Sequence, residues 1–327
     1  MDADVFQTFT SPVVLFFILG LLAAFARSDL AIPEALAKGM SLYLMAAIGL
    51  KGGVAVTESG MDGTIAVAML AGIAASFLLP ITAFAVLRGF GRLDRINSGA
   101  VAAHYGSVSV VTYVTAVEIL NISGLPPGGY MVAVLAAMET PAILTGLLLA
   151  KGFKRGGDGE KSEMLHEVFL NASVVLLLGS FAIGLITGPS GFSEISPFFA
   201  AGFKGVLCLF LLDMGLIAAR RIMSARSMTW RLGTIAIALP MVNGMLGVLA
   251  GTAIGLDTGS AAAFGVLCAS ASYIAVPAAM RMALPEADPG LYLTMSLSIT
   301  FPFNILVNIG LITSVAVALS GPAGIAS

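Results

Sequence analysis

Two short stretches place hydroxyl side chains at matched spacing inside apolar segments. The first contains Ser107 and Ser109, and the second contains Ser270 and Ser272. Small residues around each pair, such as Gly106, permit an unwound backbone and close helix approach. Hydroxyls and freed backbone N–H groups can together hold a small anion without a cationic side chain. Alternatively, the serines pack helices together and their hydroxyls bond back to their own helix.

The anion hypothesis covers both stretches in full. The expected substrate-binding residues are Gly106, Ser107, Val108, Ser109 and Thr112 in the first stretch, and Ala269, Ser270, Ala271, Ser272 and Tyr273 in the second.

Polar side chains in other apolar segments supply a candidate cation site. Glu139 stands in the motif METPA, deep in an apolar segment. A carboxylate inside a membrane helix is a candidate for binding a cation or taking up a proton. The amide of Asn304 can coordinate Na⁺ through its oxygen or can join helices by hydrogen bonds. Ser109 and Ser272 would complete this cation site.

Two further residues have both a structural and a functional interpretation. Asp213 lies in an apolar segment, and we expect it to form an ion pair with Lys38, Lys51 or Lys204. His104 lies about one helical turn before the first serine pair. It is either a packing residue or part of a proton relay.

The elements that hold these residues must be membrane helices. Of the 327 residues, 58% are hydrophobic and only 10% are charged, whereas soluble proteins carry about 25% charged residues. The mean hydropathy is +1.00. The composition therefore predicts an all-α polytopic membrane protein, and the net charge of −2 does not favour nucleic acid as a partner.

The sequence lacks the motifs of several other classes of protein. The two His and two Cys residues are scattered, so no transition-metal site is expected, and Cys208 and Cys268 are interpreted as small buried hydrophobes. The chain has neither a P-loop nor a GxSxG nucleophile motif in the required context. We therefore expect no enzyme, no ATP-driven pump and no covalently bound cofactor.

Ten apolar stretches are long enough to cross a membrane as helices, which requires about 20 residues. Turn-forming Pro and Gly residues separate several of them, as at 188–191. The predicted spans are 11–27, 32–55, 63–87, 97–120, 128–152, 168–187, 196–219, 232–254, 259–282 and 290–318.

The basic residues support this count because thirteen of the sixteen fall in odd-numbered loops. They are Arg27, Arg88, Arg92, Arg95, Lys151, Lys154, Arg155, Lys161, Arg220, Arg221, Arg226, Arg231 and Arg281. Positive charge marks the cytoplasmic side. Both termini are therefore predicted on the periplasmic side.

The chain also repeats itself around a hydrophilic linker at 153–166. The five spans of 1–152 match the five spans of 167–327 in order, with Pro141 aligned to Pro302. Because five is odd, the second unit must have the opposite orientation, which is the inverted-topology repeat of many secondary transporters. Such folds bind substrate near the midplane, at helices interrupted in corresponding positions. The serine stretches predict interruption and crossing of the fourth and ninth spans.

These residues resemble the SbtA-type sodium-dependent bicarbonate transporters. The resemblance rests on SPVVLFFILGLLAA, IPEALAKGMSLYLMAAIGLKGGVAV, GSVSVVTYVTA, METPAIL and ASASYIAVPAAMR, and it covers nearly the whole chain. It implies a gate domain from spans 1, 2, 6 and 7, a core domain from spans 3, 4, 5, 8, 9 and 10, and a homotrimer. It also implies Na⁺-coupled bicarbonate uptake in the bacterial inner membrane and inhibition by a PII-like partner at the cytoplasmic face.

One departure from the family pattern concerns the coupling ion. The family places an acidic residue at the end of the second motif, and here that position is Tyr273. Tyrosine carries no charge near neutral pH, so we expect at least one cation site to be altered. Glu139 matches the family's acidic position before proline and is the remaining candidate for a cation or proton. The linker is also short, which argues against binding of a regulator at that segment.

The sequence as a whole predicts a secondary transporter for a small anion, namely bicarbonate, with Na⁺ as the candidate coupling ion. Three alternatives stay open at this point. They are a carrier of organic acids of the bile-acid type, an anion channel of the same topology, and a receptor that binds the anion without moving it.

Overall fold

The computed structural model describes residues 11–59, 63–152, 172–224 and 228–320. These ranges form helices and contain no strand, which confirms the predicted all-α class. The predicted linker at 153–166 lies outside the described residues. The helices are α1 Pro12–Phe25, α2 Glu34–Ser59, α3 Gly63–Gly89, α4 Arg95–Gly106, α5 Val110–Ile122, α6 Met131–Lys151, α7 Ala172–Phe199, α8 Phe203–Ser224, α9 Trp230–Ala253, α10 Thr258–Ala269, α11 Ala275–Ala283 and α12 Pro289–Ser320.

Length and composition suit most of these helices to a membrane. Seven stretches are long and apolar enough to cross it, and α1 and α10 are shorter apolar helices. Large apolar side chains stand on the outer surface, with Leu70 67% and Ile186 82% exposed. Such a surface suits lipid rather than water. The chain is therefore a multi-pass membrane protein, and the count of ten spans stays a prediction.

The fourth and ninth predicted spans are both interrupted, as the serine stretches predict. The fourth consists of α4 and α5, and the ninth of α10 and α11. The first half-helix is twelve residues long in each case and begins at an aspartate whose side chain caps it, Asp94 for α4 and Asp257 for α10. Side-chain caps of this kind satisfy backbone N–H groups that the helix leaves unpaired. Helix α10 is buried over its whole length and α4 from Ser98 to Gly106, so the breaks lie inside the protein.

The sixth predicted span ends at 187, where the structure also breaks the helix, but the predicted start of the seventh span at 196 is wrong. Within α7 the backbone leaves helical geometry at Gly188 and returns to it up to Phe199, and α8 begins only at Phe203. Gly188 has a positive φ of 60°, which lets the chain change direction, and helix resumes directly after it. Pro189 suits the start of a helix because the first turn needs no bond from its nitrogen. The local signal therefore marks a kink.

Two close helix pairs stand beside the interrupted spans. A Cβ atom on Gly20 of α1 would lie 2.1 Å from the carbonyl oxygen of Leu212 in α8. A Cβ atom on Gly53 of α2 would lie 2.1 Å from the carbonyl oxygen of Phe181 in α7. The backbones therefore touch directly in both pairs, as small residues allow in membrane helices. The pairs join the first predicted span to the seventh, and the second to the sixth.

Helix α12 covers the tenth predicted span and contains two π-helical segments, Thr294–Thr300 and Asn304–Asn308. The π geometry is often found at functional sites. Here its wide turns carry buried polar side chains towards α9 and α10. Thr300 donates to the carbonyl of Ala236 at 2.6 Å, and Asn308 donates to that of Pro240 at 3.2 Å.

Candidate functional site

The first break opens where Gly106 packs against a proline of α3. A Cβ atom on Gly106 would lie 2.2 Å from Cγ of Pro80, so only glycine fits this approach. Ser107 then takes an extended conformation, with φ −87° and ψ 167°. The hydroxyl of Ser109 accepts from the backbone N–H of Thr112 at 3.2 Å and caps α5. Ser107 therefore follows the end of α4, and Ser109 caps the start of α5.

The second break frees carbonyl groups that nearby side chains satisfy. Helix α10 ends at Ala269, and Ser270 is extended with φ −78° and ψ 160°. The amide of Asn304 donates to the carbonyl of Ala269 at 2.9 Å. The hydroxyl of Ser270 donates to the carbonyl of Leu267 at 2.8 Å. Helix α11 begins at Ala275 without a side-chain cap.

The two breaks bind each other directly, and we call residues 106–109 and 269–274 the crossing segments. The backbone N–H of Ser109 donates to the hydroxyl of Ser270 at 3.0 Å. The backbone N–H of Ser272 donates to the carbonyl of His104 at 2.9 Å. Irregular backbone at membrane depth is tolerated only where protein or a cavity satisfies it. Here each half of the chain provides hydrogen-bond partners for backbone groups of the other half.

A small cavity, which we call the crossing cavity, lies between these segments and α2 and α6. Ser109, Glu139, Ser272 and Tyr273 supply its polar side chains. Its apolar wall consists of Met45, Val108, Val110, Ile274 and Ala275. Its volume of about 10 Å³ is roughly that needed for one water molecule. A larger ligand therefore requires the wall to move outwards.

Two buried polar atoms of the crossing cavity have no hydrogen-bond partner among the described residues. They are Oε2 of Glu139 and the hydroxyl of Tyr273, on side chains only 3% and 8% exposed. The side chain of Ser109 approaches the tyrosine hydroxyl without the geometry of a hydrogen bond. Unsatisfied buried polar atoms are rare in native proteins and point to a ligand, water or ion. The pair can offer a donor to an anion and a carboxylate to a cation or proton.

The structure divides the ten predicted anion-site residues into two groups. Val108, Ser109, Ser272 and Tyr273 line the crossing cavity. The remaining six, which are Gly106, Ser107, Thr112, Ala269, Ser270 and Ala271, build the crossing segments and their caps. The hydroxyl of Ser107, for example, donates to the backbone carbonyl of Glu139 at 3.1 Å. These residues hold the cavity in shape without lining it.

Of the predicted cation-site residues, Ser109, Ser272 and Glu139 meet at the crossing cavity, whereas Asn304 does not line it. Both polar atoms of the Asn304 amide already bind protein. The nitrogen donates to Ala269, and the oxygen accepts from Asn308 at 2.9 Å.

The ion pair expected between Asp213 and a lysine is wrong. Lys204 lies 2.5 Å from Glu118 of α5, and Lys51 also interacts electrostatically with Glu118. Asp213 is 4% exposed and interacts electrostatically with Arg220 of its own helix. The lysines stand near the end of α5, so the tertiary fold gives them another partner.

His104 fits the packing interpretation. Its ring stacks on Tyr292 with 4.6 Å between ring centroids, and its Nδ1 is hydrogen-bonded to the carbonyl of Ser272. Nε2 has no partner among the described residues. His104 does not line the crossing cavity.

Sequence reasoning missed four of the cavity residues. Val110, Ile274 and Ala275 lie next to predicted residues and belong to the same breaks. Glu139 belongs to the predicted cation site together with Ser109 and Ser272, and all three line the cavity. Met45 comes from α2, where an apolar side chain in an apolar helix carries no local signal.

A second, larger cavity, which we call the vestibule, lies between α8, α11 and α12. Its volume is about 360 Å³. It shares Tyr273 and Ile274 with the crossing cavity, and Arg221 and Arg281 also line it. The vestibule therefore leads from the crossing segments towards the ends of α8 and α11, where the predicted cytoplasmic loops begin.

An all-helical membrane protein with a polar cavity at interrupted helices has the architecture typical of secondary transporters. The comparison with protein families names the class more closely. The model of the Na⁺-dependent bicarbonate transporter superfamily matches residues 12–317. The chain therefore belongs to that superfamily, as its resemblance predicts. The comparison with curated proteins gave no match.

Proposed function

We propose that this protein is a secondary transporter that carries bicarbonate through the crossing cavity, with a cation as its co-substrate. The observation that carries the proposal is the set of polar groups converging there. The hydroxyls of Ser109 and Ser272 line the cavity beside the unpartnered hydroxyl of Tyr273. Bicarbonate is a small oxyanion that such donors suit. The superfamily supports this choice of substrate.

Charge balance at the crossing cavity supports co-transport of a cation. Glu139 is buried, and its Oε2 lacks a partner among the described residues. An ionised carboxylate in a low-dielectric site costs several kcal/mol unless a positive charge offsets it. A bicarbonate ion beside it would add repulsion. Binding of Na⁺ or H⁺ at Glu139 would offset both costs, so anion and cation would enter together.

Movement of the core domain against the gate domain would expose this cavity to each side in turn. The proposed gate consists of α1, α2, α7 and α8, and the core of the other helices. Met45 of the gate lines the cavity together with core residues. The tight cavity therefore lies on the proposed sliding surface, where a shift of one domain would enlarge it.

The remaining family features belong to the same proposal. The loop charges favour a cytoplasmic position for the ends of α8 and α11, with both termini periplasmic and the chain in a bacterial inner membrane. The inverted five-helix repeat is supported by the matched Asp-capped half-helices α4 and α10. A homotrimer and a PII-like cytoplasmic regulator follow from the resemblance.

The test is uptake of labelled bicarbonate into proteoliposomes, with an inward Na⁺ gradient, an inward proton gradient or neither. Saturable uptake that a Na⁺ or proton gradient accelerates supports the proposal. Lack of uptake under every gradient contradicts the substrate, and indifference to both gradients contradicts the coupling. Inhibition by larger carboxylates at equal concentration would favour the organic-acid carrier, and unsaturable flux would favour a channel.

A further inference from the structure

The vestibule has an unusual combination of walls and charges. Most of its lining is apolar, including Met214 of α8 and Leu297 of α12. Two guanidinium groups also line it, Arg221 from α8 and Arg281 from α11. Arg221 is half-buried and Arg281 is exposed. Low-dielectric walls strengthen the field of such charges and concentrate ions of opposite sign.

The two arginines come from different helices yet act on each other. Arg221 and Arg281 interact electrostatically, and Arg281 also interacts with the hydroxyl of Tyr292. Asp288 contributes negative charge near Tyr292, but its Oδ1 accepts from the N–H of Gly290 at 2.8 Å. Two positive charges that line one cavity raise the local concentration of anions in it. Guanidinium groups bind planar oxyanions in a bidentate manner.

We propose that Arg221 and Arg281 form a second anion site in the vestibule, one that takes a small monovalent oxyanion of the carboxylate or bicarbonate class. The inference rests on the proposed function, because the site lies on the path between the crossing cavity and the cytoplasm. It is a different site from the crossing cavity, where neutral hydroxyls replace the arginines. Tyr273 lies between the two sites, since it lines both cavities.

The position of the arginines ties the site to one arrangement of the domains. Arg221 belongs to the proposed gate and Arg281 to the proposed core. The two groups therefore line one vestibule only while α8 and α11 stand as they do here. An anion held between them would stabilise this arrangement and would be released when the core moves.

The experiment measures anion binding by the purified full-length protein, with formate as an unreactive monovalent oxyanion. Thermal stabilisation is recorded as formate replaces chloride at constant ionic strength. Arg281→Gln should weaken formate binding about tenfold, the effect of losing hydrogen bonds to a charged group. Arg281→Lys keeps the charge but loses the bidentate fork, so its effect should be intermediate. The matched control is Arg92→Gln, an exposed arginine outside the vestibule, which should bind formate as the wild type does.

Transport assays on the same variants separate the two proposals. The apparent KM for bicarbonate presented from the cytoplasmic side should rise in Arg281→Gln, and the KM from the opposite side should stay unchanged. Equal formate affinities in Arg281→Gln and Arg92→Gln would overturn the vestibule site, whatever the transport result. Loss of formate binding in Arg281→Gln, in a protein that moves no bicarbonate, would uphold the site and contradict the proposed function.

Discussion

Tyr273 and Glu139 are the side chains that decide the chemistry of the crossing cavity. Both are buried, and both have a polar atom without a partner among the described residues. Ser107 and Ser270 differ from them, because their hydroxyls donate hydrogen bonds to backbone carbonyls. A change at an unpartnered atom should therefore affect the ligand, whereas a change at a partnered atom should affect stability.

Tyr273→Phe tests this difference because it removes only a hydroxyl. We expect bicarbonate affinity to fall about tenfold, since a hydrogen bond to a charged ligand is lost, and the melting temperature to stay unchanged. Tyr105→Phe is the matched control, because its hydroxyl is hydrogen-bonded to Thr300 at 2.7 Å. It should lose about 1 kcal/mol of stability and keep its affinity. The reverse pattern in uptake and melting curves would contradict the assignment of Tyr273.

Glu139→Gln tests the coupling ion. The amide has the shape of the carboxylate without its charge, so the ratio of uptake with and without a cation gradient should fall to about one. Glu194→Gln changes an exposed acid of α7 and should keep the wild-type ratio. A gradient-driven rate that survives Glu139→Gln would show that the cation binds elsewhere.

At the scale of elements, the crossing depends on close approach between the first break and α3. Gly106 lies against Pro80, and α6 is opened beside it. There the hydroxyl of Ser76 accepts from the N–H of Ala142 at 3.1 Å and donates to the carbonyl of Met138 at 2.5 Å. A side chain inserted into a helical ladder opens the turn, here next to Pro141 and Glu139. The helices around the cavity therefore hold one another in irregular shapes.

Gly106→Ala should destabilise the protein by about 1–3 kcal/mol, the usual cost of overpacking. Its Cβ atom would lie 2.2 Å from Cγ of Pro80, and relief would shift the break. The matched control is Gly39→Ala in α2, where a Cβ atom meets nothing within 4 Å. It should stabilise the helix by about 0.5–1 kcal/mol. Equal melting temperatures for the two variants would contradict the close approach.

At the scale of the whole molecule, one ion pair joins the proposed gate to the proposed core. Lys204 of α8 lies 2.5 Å from Glu118 of α5, and Lys51 of α2 also interacts with Glu118. These residues stand on the predicted periplasmic side, whereas the vestibule opens towards the predicted cytoplasmic side. With the predicted orientation, this arrangement would be that of a transporter closed outside and accessible inside.

Glu118→Gln should loosen this closure. Cys208 is buried one turn beyond Lys204 in α8, so its labelling by an impermeant maleimide should rise as the domains part. The pair is partly exposed and contributes about 0–1 kcal/mol as a surface ion pair, so the increase should be no more than about fivefold. Cys268, buried in α10, is an internal control that should stay unlabelled. Exchange of the charges by Glu118→Lys with Lys204→Glu should restore protection, and unchanged labelling of Cys208 in Glu118→Gln would contradict the closure.

Much of the fold follows from local signals that need no partner. The apolar composition alone requires membrane helices, and Gly106 with the paired serines marks both breaks because these residues favour non-helical backbone. A local signal can mark a break without fixing its length. The Pro-Gly stretch at 188–191 predicts a loop, yet the helix resumes directly after the single non-helical residue Gly188.

The site itself was decided by tertiary structure. Ser109 and Ser270 meet across 161 residues of chain, and long-range contacts of this kind determine which hydroxyls face the cavity. Met45 reaches the cavity from another helix, and Lys204 pairs with Glu118 instead of Asp213. The physical reason is that the sequence determines where a backbone can stay helical. Whether a polar atom can bind a ligand depends on residues that are distant in sequence but close in space. These residues either form a hydrogen bond with that atom or leave it unpaired.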